Sequence, residues 1–339
     1  MPAGGKLRYV RGVSSPLAVI GECLVDVVES ETSAPKSHVG GSPFNVAVGL
    51  SRLGHEVVFA GRRGNDDYGR MIARSLRAQS ITSLLEADEL PTSVATATLD
   101  PTGQASYTFA LDWVLPPADE LQEMFKQTAG EIDHLHTGSL AAVIAPGSEV
   151  VQTVLAQQRE TSTISYDPNY RPTLVPNREE ARQQVEACVA LADVIQASTD
   201  DIELLYPERS HLDTMKAWLE LGPGLVTVTR GASGAMALAR SGFAEQEAFP
   251  VDVADTVGAG DSFMAATLST LRHQGLLGAQ NRQALRDISA EGVAAVLRTA
   301  AQAAAITSSR FGAQPPTVKE LSEILAKAEG SGASTTTAA

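Results

Sequence analysis

The sequence predicts an α/β protein with a mostly parallel sheet covered by helices. Three observations predict it. Strand-like runs alternate with helical ones along the chain, the order expected of repeated strand–helix–strand units. Two glycine-rich turns, Gly40-Gly41 and Gly258-Ala259-Gly260, stand in front of helical segments. Asp26, Asp167 and Asp261 each come just after a strand-like run, and open parallel sheets bind ligands beyond the carboxyl ends of their strands.

The elements follow in order. Residues 1–13 read as a disordered end. A strand at 17–21 leads to a helix at 43–53, with Ser42 as its expected N-cap, Pro43 in its first turn and Gly54 as its stop. A strand at 57–61 and a helix at 68–79 come next. Residues 93–115 break the alternation. Thr96-Ala97-Thr98-Leu99, an Asp100-Pro101-Thr102-Gly103 turn and the run from Ser106 to Trp113 read as a hairpin without a helix. Tyr107, Phe109, Leu111 and Trp113 share one face by the strand period of two. That face covers a ligand, meets a second subunit or packs on the main domain.

Alternation then resumes, with strands at 134–138, 163–167, 194–197 and 226–230 and helices at 148–160, 178–192 and 211–221. The run 249–253 reads as a strand entering the second glycine turn, and an apolar helix at 262–274 leaves it. The tail from 329 reads as another disordered end, which leaves 14–328 as one domain.

The composition fits this reading. The chain has 339 residues, 43% hydrophobic and 19% charged, an ordinary globular balance with enough length for one large α/β domain. A net charge of −14 makes nucleic acid and anionic membranes poor partners, and an anionic ligand must be held by local donors. Cys23 and Cys188 fall in apolar surroundings and read as free buried thiols. Glu22 and Asp26 interrupt the apolar stretch near residue 17, so it is neither a secretory leader nor a membrane span. The expected location is the cytoplasm. His134 and His136 share a strand face, but no third ligand stands near them in the sequence, and zinc is not expected.

The chemistry concentrates at 255–263, Asp-Thr-Val-Gly-Ala-Gly-Asp-Ser-Phe. A glycine turn at a helix mouth frees backbone N–H groups, and the helix dipole favours an anion before them. Asp261 on the same turn is able to take a proton. Phosphate donors beside such a carboxylate are the parts of a phosphoryl-transfer site; a tight turn with an ordinary first-turn Asp is the plain alternative. No Gly-x-x-x-x-Gly-Lys loop or protein-kinase catalytic loop is present, and Phe263 replaces the third glycine of a dinucleotide fingerprint. In the other turn, Asn45 follows Gly40-Gly41 in the first helical turn, where an amide can donate to and accept from a polyol.

These two stretches together resemble the ribokinase/pfkB carbohydrate kinase family, which carries a Gly-Gly…Asn signature and a later Asp-Thr-x-Gly-Ala-Gly-Asp signature. Weaker matches lie in the same order: Gly21 to Asp26, the turn from Gly61 to Gly69, Asp167-Pro168-Asn169-Tyr170-Arg171, Thr229 to Gly234 and Arg310 to Ala313. The resemblance spans about residues 17–327 and implies a three-layer ribokinase-like sandwich with a small β lid built from about 22–41 and 93–115.

The resemblance also implies roles. Asp261 is the general base, and Gly258, Ala259 and Gly260 form the anion hole. Asp26, Gly41, Asn45 and Tyr107 contact the sugar. Arg171 holds a sugar oxygen, a substrate carboxylate or a phosphate oxygen, or else makes a structural ion pair. Ser198, Thr229, Gly231 and Gly234 hold the nucleotide. Asp201 matches a family Glu that organises Mg²⁺ through water, with a shorter reach. Asp255 and the Val257 carbonyl match a monovalent-cation site suited to K⁺. The family's adenine-side Asn is absent, with Ala301 or Gln302 in its place. The implied partners are ATP and a sugar, with a second copy of the chain across the lid. The Asp167–Arg171 segment resembles the fructokinase branch, so fructose is the favoured substrate, ahead of 2-keto-3-deoxygluconate and ribose. A sugar- or nucleotide-binding protein without catalysis is the reading from another class.

Overall fold

The computed structural model describes residues 15–30, 33–99 and 105–332. The expected disordered N-terminus, the 100–103 turn and the last seven residues lie outside the described part. In chain order the strands are β1 (Leu17–Ile20), β2 (Leu24–Ser30), β3 (Ser33–Gly40), β4 (Val57–Ala60), β5 (Thr82–Ser83), β6 (Val94–Leu99), β7 (Ala105–Ala110), β8 (His134–Gly138), β9 (Thr163–Asp167), β10 (Val194–Ser198), β11 (Leu225–Thr229), β12 (Ala235–Ala239) and β13 (Gly242–Gln246).

Nine of them form one sheet, in the order β13-β12-β11-β10-β9-β8-β1-β4-β5. From β11 through β5 the neighbours are parallel, while β12 and β13 extend one edge as an antiparallel hairpin. Both faces are covered. Leu17 and Val19 belong to one core with the helices Ser42–Arg52, Ala259–His273 and Ala290–Ser308. Ala18 and Ile20 belong to the other, with the helices Gly147–Gln158, Arg178–Leu191 and His211–Leu221. Strands buried on both faces favour near-continuous apolar runs, and Leu17-Ala18-Val19-Ile20 is such a run. The connections from β1 and from β8 lead to opposite sides of the sheet, so the crevice between their carboxyl ends is a topological switch point.

A second sheet, β3-β2-β6-β7, stands over that crevice. Its strands come from residues 24–40 and 94–110. One turn in this area resembles a family motif. There Asp66 caps the helix Asp67–Ala78 through Gly69 N at 2.7 Å, and its other oxygen accepts from Thr92 N at 2.8 Å. This Gly-x-Asp-x-x-Gly turn therefore ties the helix to the chain entering β6.

Several expectations are corrected. Residues 249–253 join no sheet. Pro250 lacks an N–H for a ladder, and Val253 is 65% exposed. The aromatic face of the hairpin ends early. Trp113 lies past β7, buried in the main domain, where its indole N–H donates to Ala141 O at 3.0 Å. The final helix, Val318–Gly332, includes the first residues assigned to the tail. His134 and His136 are fully buried and hydrogen-bonded to Thr163 and Ser165, a packing network between β8 and β9.

Candidate active site

Two helices aim their N-termini at the crevice. Gly41 precedes the Ser42–Arg52 helix with φ +106°, and an added Cβ would meet Glu22 O at 2.6 Å. Gly258 precedes the Ala259–His273 helix with φ +74°, and an added Cβ would meet Ala313 Cβ at 2.5 Å. Both positions need glycine's access to the left-handed region and its lack of a side chain.

Ser42 is not the N-cap. That position falls on Gly41, and no side chain caps the helix. The Ser42 hydroxyl instead donates to Asp261 Oδ1 at 2.6 Å, while Asn45 Nδ2 donates to Asp261 Oδ2 at 2.8 Å. Burial pushes the Asp261 carboxyl up to about 6, against the Ser42 and Asn45 hydrogen bonds and the Arg171 charge. It is ionised at neutral pH and still holds a proton readily.

The amides behind it are partly free. Ala259 N–H donates to Thr256 O at 3.2 Å, so this expected anion-hole donor is already engaged. The N–H groups of Gly258, Gly260 and Asp261 have no acceptor among the described residues, as the first turn of a helix leaves them.

Two cavities meet at this turn and share Ser198, Thr229, Thr256 and Gly260. The first is about 380 Å³ and holds Asp26, Gly41, Asn45, Arg171 and Asp261. Leu24, Ala95 and Phe109 of the small sheet roof it. The hairpin's aromatic face thus points into the cavity through Phe109; the side chain of Tyr107 lies outside the described part. The second cavity, about 870 Å³, holds Gly231 and Gly234 beside an apolar slot between Phe249, Val253, Ala301 and Ala304.

The remaining predicted residues are placed less simply. Asp201 borders the first cavity, but one oxygen accepts from Tyr170 N at 2.7 Å and the other from Ser198 N and Oγ at 2.8 and 2.7 Å. It closes a capping box with Ser198, so three protein donors occupy the carboxylate expected to reach Mg²⁺. Asp255 borders neither cavity; its oxygens accept from Val257 N at 3.1 Å and Gly312 N at 2.8 Å. Among the described residues, no cluster of three His, Cys, Asp or Glu stands ready to hold a metal ion.

Sequence reasoning missed Glu22, Gln196 and the Ser42 hydroxyl. Glu22 sits at the switch point, 5% exposed, and accepts from Ala141 N at 3.0 Å. Burial pushes it up to about 7, opposed by its own backbone amide, Ser139 and Ala141 and reinforced by the Asp261 charge. An acid placed directly after a buried apolar strand is the signal that could have found it. Asp26 and Asp167 are raised as well, both first by burial.

Free amides beside a carboxylate poised for a proton belong to phosphoryl transfer onto an alcohol. With a lid sheet roofing the acid-rich half, the molecule is a small-molecule kinase of the ribokinase-like class. The chain belongs to the pfkB family of carbohydrate kinases, whose family model matches residues 15–320. It is 32% identical over 311 residues to probable fructokinase-2 of Arabidopsis thaliana, covering 87% of this chain and 90% of that protein. The ATP-bound fructokinase of Xylella fastidiosa superposes with a TM-score of 0.81 at 26% identity, covering 93% and 99% of the two chains. A fructokinase of Vibrio cholerae solved with fructose, ADP and potassium ion matches with a TM-score of 0.76 at 25% identity over 93% and 100%.

Proposed function

We propose that the enzyme transfers the γ-phosphoryl group of ATP to a primary hydroxyl of fructose, giving fructose 6-phosphate and ADP. The observation that carries this is Asp261, held through both oxygens where the two cavities meet, beside free helix amides. The sugar lies in the roofed cavity against Asp26, Gly41 and Asn45, with its reacting hydroxyl toward Asp261. Asp261 takes the proton as the hydroxyl oxygen bonds to phosphorus and the bond to the ADP oxygen breaks. The N–H groups of Gly258 and Gly260, with that of Asp261, face the charge on the transferred group; one such donor is typically worth about 3 kcal/mol of barrier. Ser198, Thr229, Gly231 and Gly234 cradle the nucleotide in the larger cavity.

Fructose is favoured over 2-keto-3-deoxygluconate by charge. Glu22, Asp26 and Asp261 line the roofed cavity, where Arg171 is the one cation among the described residues, and a substrate carboxylate would enter a field of its own sign. Arg171 Nη1 donates to the carbonyls of Asn169 and Tyr170 at 3.1 Å. That leaves its other N–H groups for a phosphate oxygen.

Mg²⁺ suits the site as an ion bound mainly to nucleotide oxygens and water, with Asp201 reaching it only through water. It would neutralise charge on the transferring phosphates. K⁺ suits the carbonyl of Val257 with Asp255 nearby. The outer side of the small sheet is our candidate for contact with a second copy. Buried, free Cys23 and Cys188 suit a reducing cytoplasm, and no described helix is long and apolar enough to cross a membrane.

An ATP-coupled assay against fructose, ribose, 2-keto-3-deoxygluconate, tagatose and adenosine tests the reading. The highest kcat/KM is expected for fructose. A preference for 2-keto-3-deoxygluconate would transfer Arg171 to its carboxylate, and sugar binding without turnover would defeat the kinase reading.

A further inference from the structure

Gln196 belongs to no motif, yet it joins the two halves of the site. It sits on β10, 2% exposed. Its Nε2 donates to Asp167 Oδ2 at 2.7 Å and to Gly260 O at 2.9 Å. Asp167 ends β9, and its other oxygen accepts from Asn169 N at 3.0 Å. One buried amide therefore connects the turn that carries Arg171 to the first turn of the Ala259–His273 helix. Both acceptors fix which way the amide points, because a reversed amide would set oxygen against oxygen. Its own Oε1 is left buried without a partner among the described residues.

An orphaned buried oxygen is destabilising, and an apolar side chain of the same length would avoid it. The geometry offers a reason for its presence. The Gly260–Asp261 peptide carries the carbonyl that Gln196 holds and, on its opposite side, the free N–H of Asp261. Ser42 and Asn45 fix the Asp261 side chain, and these two hydrogen bonds end on its carboxylate oxygens, not on this backbone.

We infer that Gln196, held by Asp167, is a positioning residue that fixes the anion-hole peptide relative to Asp261. The inference rests on the kinase reading above. Gln196 borders the roofed cavity, and its role there is positioning, not a bond to either substrate. Its effect is to keep the free amides and the carboxylate in one fixed relation while the phosphoryl group passes between them.

Gln196→Met keeps length and volume but removes the donor. Misplacement of reacting groups by about 1 Å can cost on the order of 100-fold, so kcat is expected to fall by about 10- to 100-fold. The fructose KM stays within about threefold of the parent, because the sugar contacts assigned to Asp26, Gly41 and Asn45 are unchanged. The melting temperature is expected to fall by a few degrees, since Asp167 Oδ2 and Gly260 O lose their donor, so kcat is compared at a temperature where both proteins are fully folded. Asp167→Ala should reproduce the kcat loss, Asp167→Asn should recover much of it by restoring an acceptor, and the double variant Asp167→Ala/Gln196→Met should be little worse than either single one. Parental kcat in Gln196→Met, or losses that multiply in the double variant, overturns the inference.

Calorimetric titration with ATP in the absence of sugar supplies a readout independent of turnover. A several-fold weaker affinity is expected for Gln196→Met. If the parent phosphorylates no sugar, the kinase reading fails, and unchanged ATP affinity in the variant then also overturns the inference.

Discussion

Ser42 and Asp261 stand 219 residues apart in the chain and 2.6 Å apart in space. The contact takes a hydroxyl from the start of one helix and spends it on a carboxylate in the first turn of another. With Asn45 on the second oxygen, the carboxylate keeps one orientation and retains lone pairs for a substrate proton.

Asp261→Asn should therefore lose turnover, not sugar binding. General-base help is typically worth about 10²- to 10⁴-fold, and kcat should fall within or beyond that range. Fructose affinity by calorimetry should change little. Turnover near the parental rate in a clean preparation would refute the assignment.

The pH profile follows from the same residue. A base must be ionised to act, and burial holds Asp261 at about 6. The rate should fall on the acid side of that value and level off above it, measured as kcat/KM between about pH 5 and pH 8. A profile without an acid limb, or one retained in Asp261→Asn, would remove Asp261 from the rate equation.

Glu22 affects stability with a definite sign. Its folded value lies near 7 against an ordinary 4.5, so the folded chain binds the proton more tightly than the unfolded one. Its contribution to stability is greatest below 4.5 and is lost as pH rises through 7. Glu22→Gln removes that loss. The melting temperature of the variant should gain on the parent as pH rises, with no gain near pH 4. An equal offset at every pH would show that the buried charge is not the cause.

The nucleotide base should be read weakly. The slot between Phe249, Val253, Ala301 and Ala304 is apolar, and the nearby Arg230 is paired with Glu245 at 2.6 Å. Ser308 offers a hydroxyl that donates or accepts equally. Sites that hydrogen-bond a substrate edge can reject the wrong partner by about 10⁴-fold; here ATP, GTP and ITP should fall within about tenfold of one another in kcat/KM. A preference for ATP above about 10³-fold would show that backbone groups read the base edge.

The parts legible in the sequence were those whose chemistry is contiguous. Gly258 to Asp261 display turn, donors and acid in four consecutive residues, and Gly41 to Asn45 display turn and side-chain amide at the start of the facing helix. The alternation of strands and helices exposed the parallel sheet because its β1 strand is an unbroken apolar run, Leu17 to Ile20, while polar residues of its other buried strands, such as His134 and Gln196, are paired within the sheet. What stayed hidden depends on partners far away in the chain. Gln196 looks like any polar residue in a strand until Asp167 and Gly260 surround it. Ser42 has the residue type of a helix cap, and only the arrival of Asp261 redirects its hydroxyl. The run 249–253 misled because alternation of apolar residues also suits a cleft wall that pairs with nothing.

The buried acids have a consequence for anyone evolving this enzyme. Selection for heat resistance alone would enrich replacements at Glu22 and Asp261, because each buried carboxyl carries a desolvation cost in the resting molecule. Such a campaign would move steadily toward a robust and inert protein unless every round is also scored for catalysis.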